Sequence, residues 1–148
     1  MFKLVRDEFR KHPNLQIKIP TRGTNTSSGY DISTPVEITI QPHETSELIM
    51  TDICVELQPD EFLMIVPRSS LGIKRNLMLA NTVGIIDSDY YDNVSNGANI
   101  GIKLFNFGNN PVTITAGEKI VQGIVLKYNT FGEYIATTRD GGFGSTSK

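Results

Sequence analysis

Several features that mark other classes of protein are scarce in this sequence. Its one cysteine, Cys54, excludes an internal disulfide, and the apolar run around Cys54 predicts a buried, inert thiol. No apolar stretch approaches the length of a membrane-spanning helix, and charges are spaced too closely in the first residues for a signal peptide. We therefore expect a soluble, cytoplasmic protein without a membrane partner.

An excess of basic residues is also missing. The 14 lysines and arginines are outnumbered by 16 aspartates and glutamates, which gives a formal net charge of −2. Proteins that bind nucleic-acid polymers usually carry a strong basic excess. The composition therefore argues against a nucleic-acid polymer as a partner, although a local basic cluster could hold a small phosphate compound.

Helical periodicity is scarce, whereas apolar and polar residues alternate in many short runs. Prolines and glycines separate these runs, and the pattern predicts an antiparallel β-sandwich, jelly roll or barrel, with one helical turn within 67–76. The length of 148 residues suits a single domain, 1–148. The predicted strands lie in LQIKIPT, VEITIQP, MTDICVELQP, EFLMIVP, NLMLANTVGIID, NIGIKLFNF, VTITAGEKIVQGIVL and GEYIAT.

Two polar segments could contribute to a phosphate site. GYDIS at 29–33 places Asp31 near a glycine, where an aspartate is most often a turn or cap residue. PRSSLG at 67–72 places Arg68 beside Ser69 and Ser70 after an apolar strand. A guanidinium fork suits phosphate oxygens, and serine hydroxyls with nearby backbone N–H groups can complete the site. A solvated turn capped by serine is the alternative.

Two further segments combine apolar strands with reactive or amide side chains. GIIDSDYYDN at 84–93 places Asp87 and Asp89 on the same side of an extended chain. A carboxylate at the end of an apolar strand can accept a proton from water; a polar β-turn is the alternative. GEKIVQG at 117–123 places Gln122 between apolar residues, where its amide needs hydrogen-bond partners.

The last ten residues, RDGGFGSTSK, are rich in glycine and should be frayed in isolation. Phe143, framed by glycines, could stack on a base. Arg139, Ser145 and Thr146 could then reach phosphates. A disordered end is the alternative.

Taken in order, these five segments resemble the five motifs of the trimeric dUTP pyrophosphatases (dUTPases). PRSSLG, GIIDSDY, GEKIVQ and GGFGST match family motifs nearly letter for letter, and the resemblance runs from about Gly29 to Thr146. It implies an all-β fold, the dUTPase-like jelly roll or β-clip. It also implies a homotrimer in which each active site draws on three subunits, with 137–148 as a flexible lid that reaches a neighbour.

The activity implied by the resemblance is hydrolysis of dUTP to dUMP and pyrophosphate. This reaction limits uracil incorporation into DNA and supplies dUMP for dTTP synthesis. Asp87 would be the general base that activates the attacking water. Mg²⁺ would be the cofactor, held by the triphosphate and waters without a direct protein ligand, and Asp31 would support the phosphates and the ion.

The resemblance also implies the substrate contacts. Tyr90 would lie against the deoxyribose and exclude a 2′-hydroxyl. Backbone groups near Ile85, Ile86 and Gly101 would read the uracil edge on a hairpin from 84 to about 103. Phosphates and ordered water would be bound by Arg68, Ser69, Ser70 and Gln122, and Asn81 would help to bind the substrate. The γ-phosphate would be bound by Arg139, Ser145 and Thr146. Phe143 would cover the uracil.

The sequence departs from the family pattern at three places. YDNVSNGA at 91–98 stands where the family often continues with Arg-Gly, and this insertion beside the active site suggests a contact surface. Arg139 is one residue closer to Phe143 than in the commonest spacing, which puts its phosphate role in doubt. The chain ends in STSK rather than in the usual glycine.

Two rival functions remain open. A dCTP deaminase shares the fold, but it needs a glutamate on the strand after the aspartate motif, and NIGIKLFNF has no acidic residue. A phage-type dUTPase can also bind repressor proteins, and such a partner would be sought at 91–98.

Overall fold

A computed structural model describes residues 1–132, and their regular structure is almost entirely β-strand. One helix, α1 (Ser69–Arg75), and two 3₁₀ turns (Asp7–Phe9 and Ser88–Tyr90) interrupt the strands. The predicted helical turn within 67–76 is confirmed. The strands are β1 (Phe2–Leu4), β2 (Thr21–Arg22), β3 (Gly29–Ser33), β4 (Ile38–Ile40), β5 (Ile49–Met50), β6 (Ile53–Val55), β7 (Glu61–Pro67), β8 (Leu77–Leu79), β9 (Gly84–Asp87), β10 (Gly101–Ile102), β11 (Leu104–Asn106), β12 (Val112–Ile114) and β13 (Lys119–Lys127).

All pairings of these strands are antiparallel, as the alternating pattern predicted. The largest sheet has five strands in the order β2-β3-β13-β7-β9, and β1–β6, β5–β10, β8–β11 and β4–β12 form separate pairs. No helix in the described part of the chain is long and apolar enough to cross a membrane.

One face of the five-stranded sheet packs against the hydrophobic core. Ile32, Leu63, Ile65 and Val121 point to this face and are no more than 2% exposed. Because side chains alternate along a strand and directly paired residues share a face, the residues between them point the other way. We call that second side the outer face.

The structure corrects three expectations about strands. LQIKIPT forms no strand before Thr21, since residues 15–20 have no pairing partner within residues 1–132 and Leu15 and Ile19 are left exposed. MTDICVELQP is broken by Asp52, whose φ of 58° separates β5 from β6. The expected hairpin from 84 to about 103 is not a paired one, because β9 pairs with β7 and β10 pairs with β5.

Three further expectations concern β1, Cys54 and the last predicted strand. β1 was not predicted, because a run of three residues is too short to show an alternating pattern, yet it pairs with β6 along its whole length. Cys54 on β6 is buried as expected, and burial raises the pKa of its thiol. The predicted strand GEYIAT lies, apart from Gly132, outside the described residues.

Candidate active site

Three of the five polar segments meet at one corner of the five-stranded sheet. Asp31 on β3 pairs with Gln122 on β13, and Gln122 also pairs with Val66, two residues before Arg68. Arg68 Nε lies 3.0 Å from Asp31 Oδ1, and Lys119 Nζ donates a 2.7 Å hydrogen bond to Asp31 Oδ2. We call Asp31, Arg68, Lys119 and Gln122 the Asp31 corner. Its two cations and one carboxylate leave a net positive charge, which suits phosphate.

Lys119 belongs to this corner although the sequence analysis did not single it out. In a regular strand, Lys119 and Gln122 would point to opposite faces, because they are an odd number of residues apart. The pairing of β13 with β3 shifts register between Lys119 and Val121. A bulge of this kind changes the direction in which a side chain points. No sequence pattern in GEKIVQG predicts the bulge.

The side chain of Gln122 lies directly over Gly29. A Cβ at Gly29 would stand 2.4 Å from Gln122 Oε1 and 3.1 Å from Gln122 Cβ. The position therefore requires glycine for close approach rather than for an unusual φ. This contact gives the glycine of GYDIS a function in the site that the sequence alone did not indicate.

Ser69 and Ser70 begin α1 directly after this corner. Arg68 is the N-cap residue, with an extended backbone (φ −69°, ψ 146°) and no side-chain capping bond. Its N–H donates to Ile120 O at 3.3 Å, which ties the segment to β13. The serines therefore lie beside Arg68, as the phosphate hypothesis requires.

Asp87 lies at a different corner of the same sheet, which we call the Asp87 corner. It ends β9, pairs with Phe62 on β7 and is exposed. Ile85 is 53% exposed on the same face, whereas Ile86 points to the core side. β9 is an edge strand, so its alternate backbone N–H and C=O groups have no sheet partner within residues 1–132 and could read a base edge.

The other residues predicted around the base lie at separate places. Gly101 is in β10, opposite Met50. Asn81 is exposed in the turn that precedes β9, at the opposite end of β9 from Asp87. Tyr90 ends the 3₁₀ turn after Asp87 and is 5% exposed, packed with Val5 and neighbouring residues in a second apolar cluster.

The register of the sheet separates the two corners within one chain. Asp31 and Asp87 both point to the outer face, four residues apart along the strands and three strands apart across the sheet. At about 3.4 Å per residue and 4.8 Å per strand, their Cα atoms are about 20 Å apart. The outer-face side chains between them are apolar: Phe62, Met64, Val66, Ile85, Ile124 and Leu126.

The insertion at 91–98 is mostly packed against the protein. Asn93 and Ala98 are buried, and the exposed members are Asp92, Val94 and Ser95. Only these three exposed residues are therefore available for the predicted contact surface. Arg139, Phe143, Ser145 and Thr146 lie outside the described residues.

Residues 1–132 contain no group of three or more histidine, cysteine, aspartate or glutamate side chains that could hold a metal ion. The carboxylate of Asp31 is already engaged by Arg68 and Lys119. Such a carboxylate suits an indirect role toward a metal–phosphate complex better than direct ligation.

Comparison with known proteins settles the family. A family-wide sequence profile described as dUTPase matches residues 16–147. The chain belongs to the dUTPase family. It is 37% identical over 139 residues to the deoxyuridine 5′-triphosphate nucleotidohydrolase of Lactococcus lactis, with 92% of each chain covered.

Two solved structures support the same conclusion about the fold. The dUTPase of Streptococcus mutans superposes with a TM-score of 0.76 at 32% identity, covering 89% of this chain and 98% of that one. A mutant dUTPase from phage phi11 of Staphylococcus aureus, which coordinates a structural Mg(II) ion, superposes with a TM-score of 0.68 at 18% identity over 93% and 96%. The all-β, dUTPase-like fold expected from the sequence is confirmed.

Proposed function

We propose that this dUTPase hydrolyses dUTP to dUMP and pyrophosphate at a site made from the Asp31 corner of one subunit and the Asp87 corner of another. The observation that carries this proposal is the diagonal placement of the two corners on one sheet face. Family membership supports the reaction, and the register of β3, β13, β7 and β9 supports the shared site.

An apolar surface between the corners argues against a site within one chain. A triphosphate is strongly hydrated, and placing it on apolar side chains would remove water without supplying hydrogen-bond donors. The same surface leaves Ile85 and Leu126 exposed in a single chain, and contact with another copy would bury them. A homotrimer can satisfy both requirements, because a rotational axis brings the Asp31 corner of each copy to the Asp87 corner of the next.

The chemistry assigned to Asp87 is proton transfer. Its carboxylate accepts a proton from a water molecule as the water oxygen attacks the α-phosphorus. The bond between that phosphorus and the oxygen bridging to the β-phosphorus then breaks, and pyrophosphate leaves. A positioned carboxylate in this role accelerates such a step by about 10²- to 10⁴-fold.

The Asp31 corner is assigned to the phosphates. Arg68 is oriented by its contact with Asp31 and would present its remaining N–H groups to phosphoryl oxygens. Ser69, Ser70 and Gln122 would bind phosphates and ordered water. Mg²⁺ bound to the triphosphate would reduce the charge on the phosphoryl oxygens, and Asp31 would accept hydrogen bonds from waters around it.

Base and sugar selectivity are assigned to β9 and the residues beside it in the chain, together with Gly101 on β10. Backbone groups near Ile85, Ile86 and Gly101 would read uracil, and Asn81 would add a contact. Tyr90, which is 5% exposed, would lie against the deoxyribose. A rigidly held Tyr90 ring leaves no space for a 2′-hydroxyl, so it disfavours ribonucleotides.

The tail completes the proposal. Arg139, Ser145 and Thr146 would bind the γ-phosphate, and Phe143 would cover the uracil, within a lid formed by 137–148. A variant that lacks residues 139–148 should keep the wild-type oligomeric state and lose most of its turnover. Full turnover in that variant would contradict the role of the tail.

The function is tested by pyrophosphate release from dUTP, dTTP, dCTP and UTP in the presence of Mg²⁺. We expect rapid release from dUTP and little from the other three. Ammonia released from dCTP would indicate a deaminase instead. Absence of turnover with all four would leave binding of a repressor as the surviving prediction.

A further inference from the structure

The hydroxyl of Tyr90 is held by the insertion that follows it. Asn96 Nδ2 donates a hydrogen bond of 2.7 Å to Tyr90 Oη, and Tyr90 Oη donates to the carbonyl oxygen of Asn99 at 3.4 Å. The hydroxyl therefore has both a donor and an acceptor inside the protein. Asn96 belongs to 91–98, the segment that departs from the family pattern.

The amide of Asn96 can point in only one direction. Its Oδ1 accepts the N–H of Ala98 at 3.0 Å, so its Nδ2 must face Tyr90. The carbonyl oxygen of Asn96 also accepts the N–H of Asn99 at 3.2 Å, which closes a tight turn. Gly97 (φ 62°) and Ala98 (φ 60°) give this turn two left-handed residues, as in a type I′ turn.

The turn is braced on its outer side by the N-terminal segment. The ring of Phe9 packs against Gly97 so closely that a Cβ at Gly97 would stand 2.5 Å from Phe9 Cδ2. Arg6 stacks over the Phe9 ring at 4.9 Å, and Arg6 Nε lies 3.2 Å from Asp92 Oδ1. The packing of Phe9 on Gly97 holds the loop against the body of the protein, and the exposed ion pair of Arg6 with Asp92 adds little.

A fully buried carboxylate holds the inner side of the same turn. Asp52 is 0% exposed and accepts a 2.9 Å hydrogen bond from Asn99 Nδ2. It also accepts the backbone N–H groups of Lys11 and His12, each at 2.8 Å. The loop that contacts Tyr90 is therefore joined to β5–β6 and to the N-terminal segment by buried polar bonds, which are costly to leave unmade.

We propose that Asn96 is a positioning residue for sugar discrimination, which acts by fixing the hydroxyl end of Tyr90. This inference rests on the proposed placement of Tyr90 against the deoxyribose. A ring held at its hydroxyl cannot swing aside to admit a 2′-hydroxyl. Once the bond from Asn96 is removed, the ring regains that freedom, and the main consequence is easier use of UTP.

The test is the ratio of kcat/KM for dUTP to kcat/KM for UTP in Asn96→Ala, Tyr90→Phe and the double variant. Loss of the Asn96 hydrogen bond should lower the ratio by about 3- to 10-fold in Asn96→Ala. Tyr90→Phe also loses the hydrogen bond to the carbonyl oxygen of Asn99, so it should lower the ratio at least as far. The change should come chiefly from a gain with UTP, while kcat for dUTP changes less. Both single variants remove the bond between Asn96 and Tyr90, so the double variant should show no loss beyond that of Tyr90→Phe.

Asn93→Ala is the matched control for loop stability. Asn93 Oδ1 accepts the N–H of Ser95 at 3.0 Å and its hydroxyl at 2.5 Å, so this variant weakens the same loop while the hydrogen bond from Asn96 to Tyr90 is kept. It should lower the thermal unfolding midpoint and keep the wild-type ratio. An equal fall of the ratio in Asn93→Ala and Asn96→Ala would show that only loop stability matters and would overturn the proposal.

Tyr90→Ala separates failure of this inference from failure of the proposed function. If Tyr90→Ala lowers the ratio and Asn96→Ala does not, the role of Asn96 is refuted and that of Tyr90 stands. If Tyr90→Ala leaves the ratio unchanged, the placement of Tyr90 fails, and the role of Asn96 fails with it. Should Asn96→Ala not fold, a wild-type ratio in Tyr90→Phe would refute the proposal by itself.

Discussion

The two corners of the five-stranded sheet are held in place by different means. At the Asp31 corner, side chains from paired strands contact one another directly, and Arg68 and Lys119 share one carboxylate. At the Asp87 corner, the strand ends, a 3₁₀ turn follows, and a loop rich in asparagine fixes Tyr90. In the proposed site, phosphate binding therefore depends on sheet register, whereas sugar selectivity depends on a loop.

Substitutions at the two corners should affect different kinetic parameters. Changes at the Asp31 corner should alter substrate binding, since they affect groups that contact phosphates throughout the reaction. A change of Asp87 should alter turnover, since its proton transfer occurs only in the chemical step. The following variants test this division, beginning with the largest expected effect.

Asp87→Asn should lower kcat by about 10²-fold to 10⁴-fold, because an amide cannot accept the proton of the attacking water. Binding of a non-hydrolysable dUTP analogue, measured by calorimetry, should change little. Asp92→Asn, in the adjacent loop, should retain kcat within about twofold, because exposed ion pairs such as that of Asp92 with Arg6 contribute little. A kcat within tenfold of wild type in Asp87→Asn would remove Asp87 from the role of general base.

Gly29→Ala should raise KM for dUTP by about 10-fold or more, because the new methyl group displaces the Gln122 amide from a phosphate contact. Gly23→Ala is its matched control, since a Cβ there meets only Ser27 Oγ at 3.7 Å. The double variant Gly29→Ala/Gln122→Ala should resemble Gln122→Ala alone. If the increases in KM of the two single variants add up in the double variant, Gly29 affects KM independently of Gln122.

Lys119→Ala should raise KM by about threefold, a small effect because the lysine side chain is 47% exposed and screened by water. Lys127→Ala is a close control on the same strand, where Lys127 Nζ donates an equally short 2.7 Å hydrogen bond to Asp60 Oδ2. That hydrogen bond lowers the pKa of Asp60 and raises that of Lys127 far from the Asp31 corner, so KM should stay unchanged. Equal KM values for the two variants would exclude Lys119 from the site.

Much of the fold could be predicted because its signals are local. β7 matches the apolar run EFLMIVP, and α1 begins within PRSSLG. The failures arose where distant partners decide the structure. LQIKIPT alternates correctly but has no neighbouring strand before Thr21 within residues 1–132. β1 is only three residues long and forms because β6 lies beside it.

The sequence predicted most of the residues of the candidate site but fewer of the contacts between them. Arg68 and Asp31 were expected near phosphates, and the structure places them in contact. Lys119 was missed because a bulge, which leaves no sequence signature in GEKIVQG, turns it to the outer face. The contact of Asn96 with Tyr90 was not predicted, because an inserted polar loop suggests only a surface. The expected contact surface at 91–98 stays a prediction, with Asp92, Val94 and Ser95 as its exposed residues.

The most direct test of the shared site mixes two variants, Arg68→Ala and Asp87→Asn, refolded together in equal amounts, with different affinity tags to verify that they assemble with each other. The mixture is assayed at a dUTP concentration too low for Arg68→Ala alone to turn over appreciably. If each site takes its Arg68 and its Asp87 from different subunits, random assembly leaves about a quarter of all sites with both residues intact. Pyrophosphate release from dUTP by the refolded mixture should then recover to about a quarter of the wild-type rate. Activity no higher than that of the two parent variants, in a mixture whose tags show joint assembly, would show that one chain supplies both corners and would contradict the account.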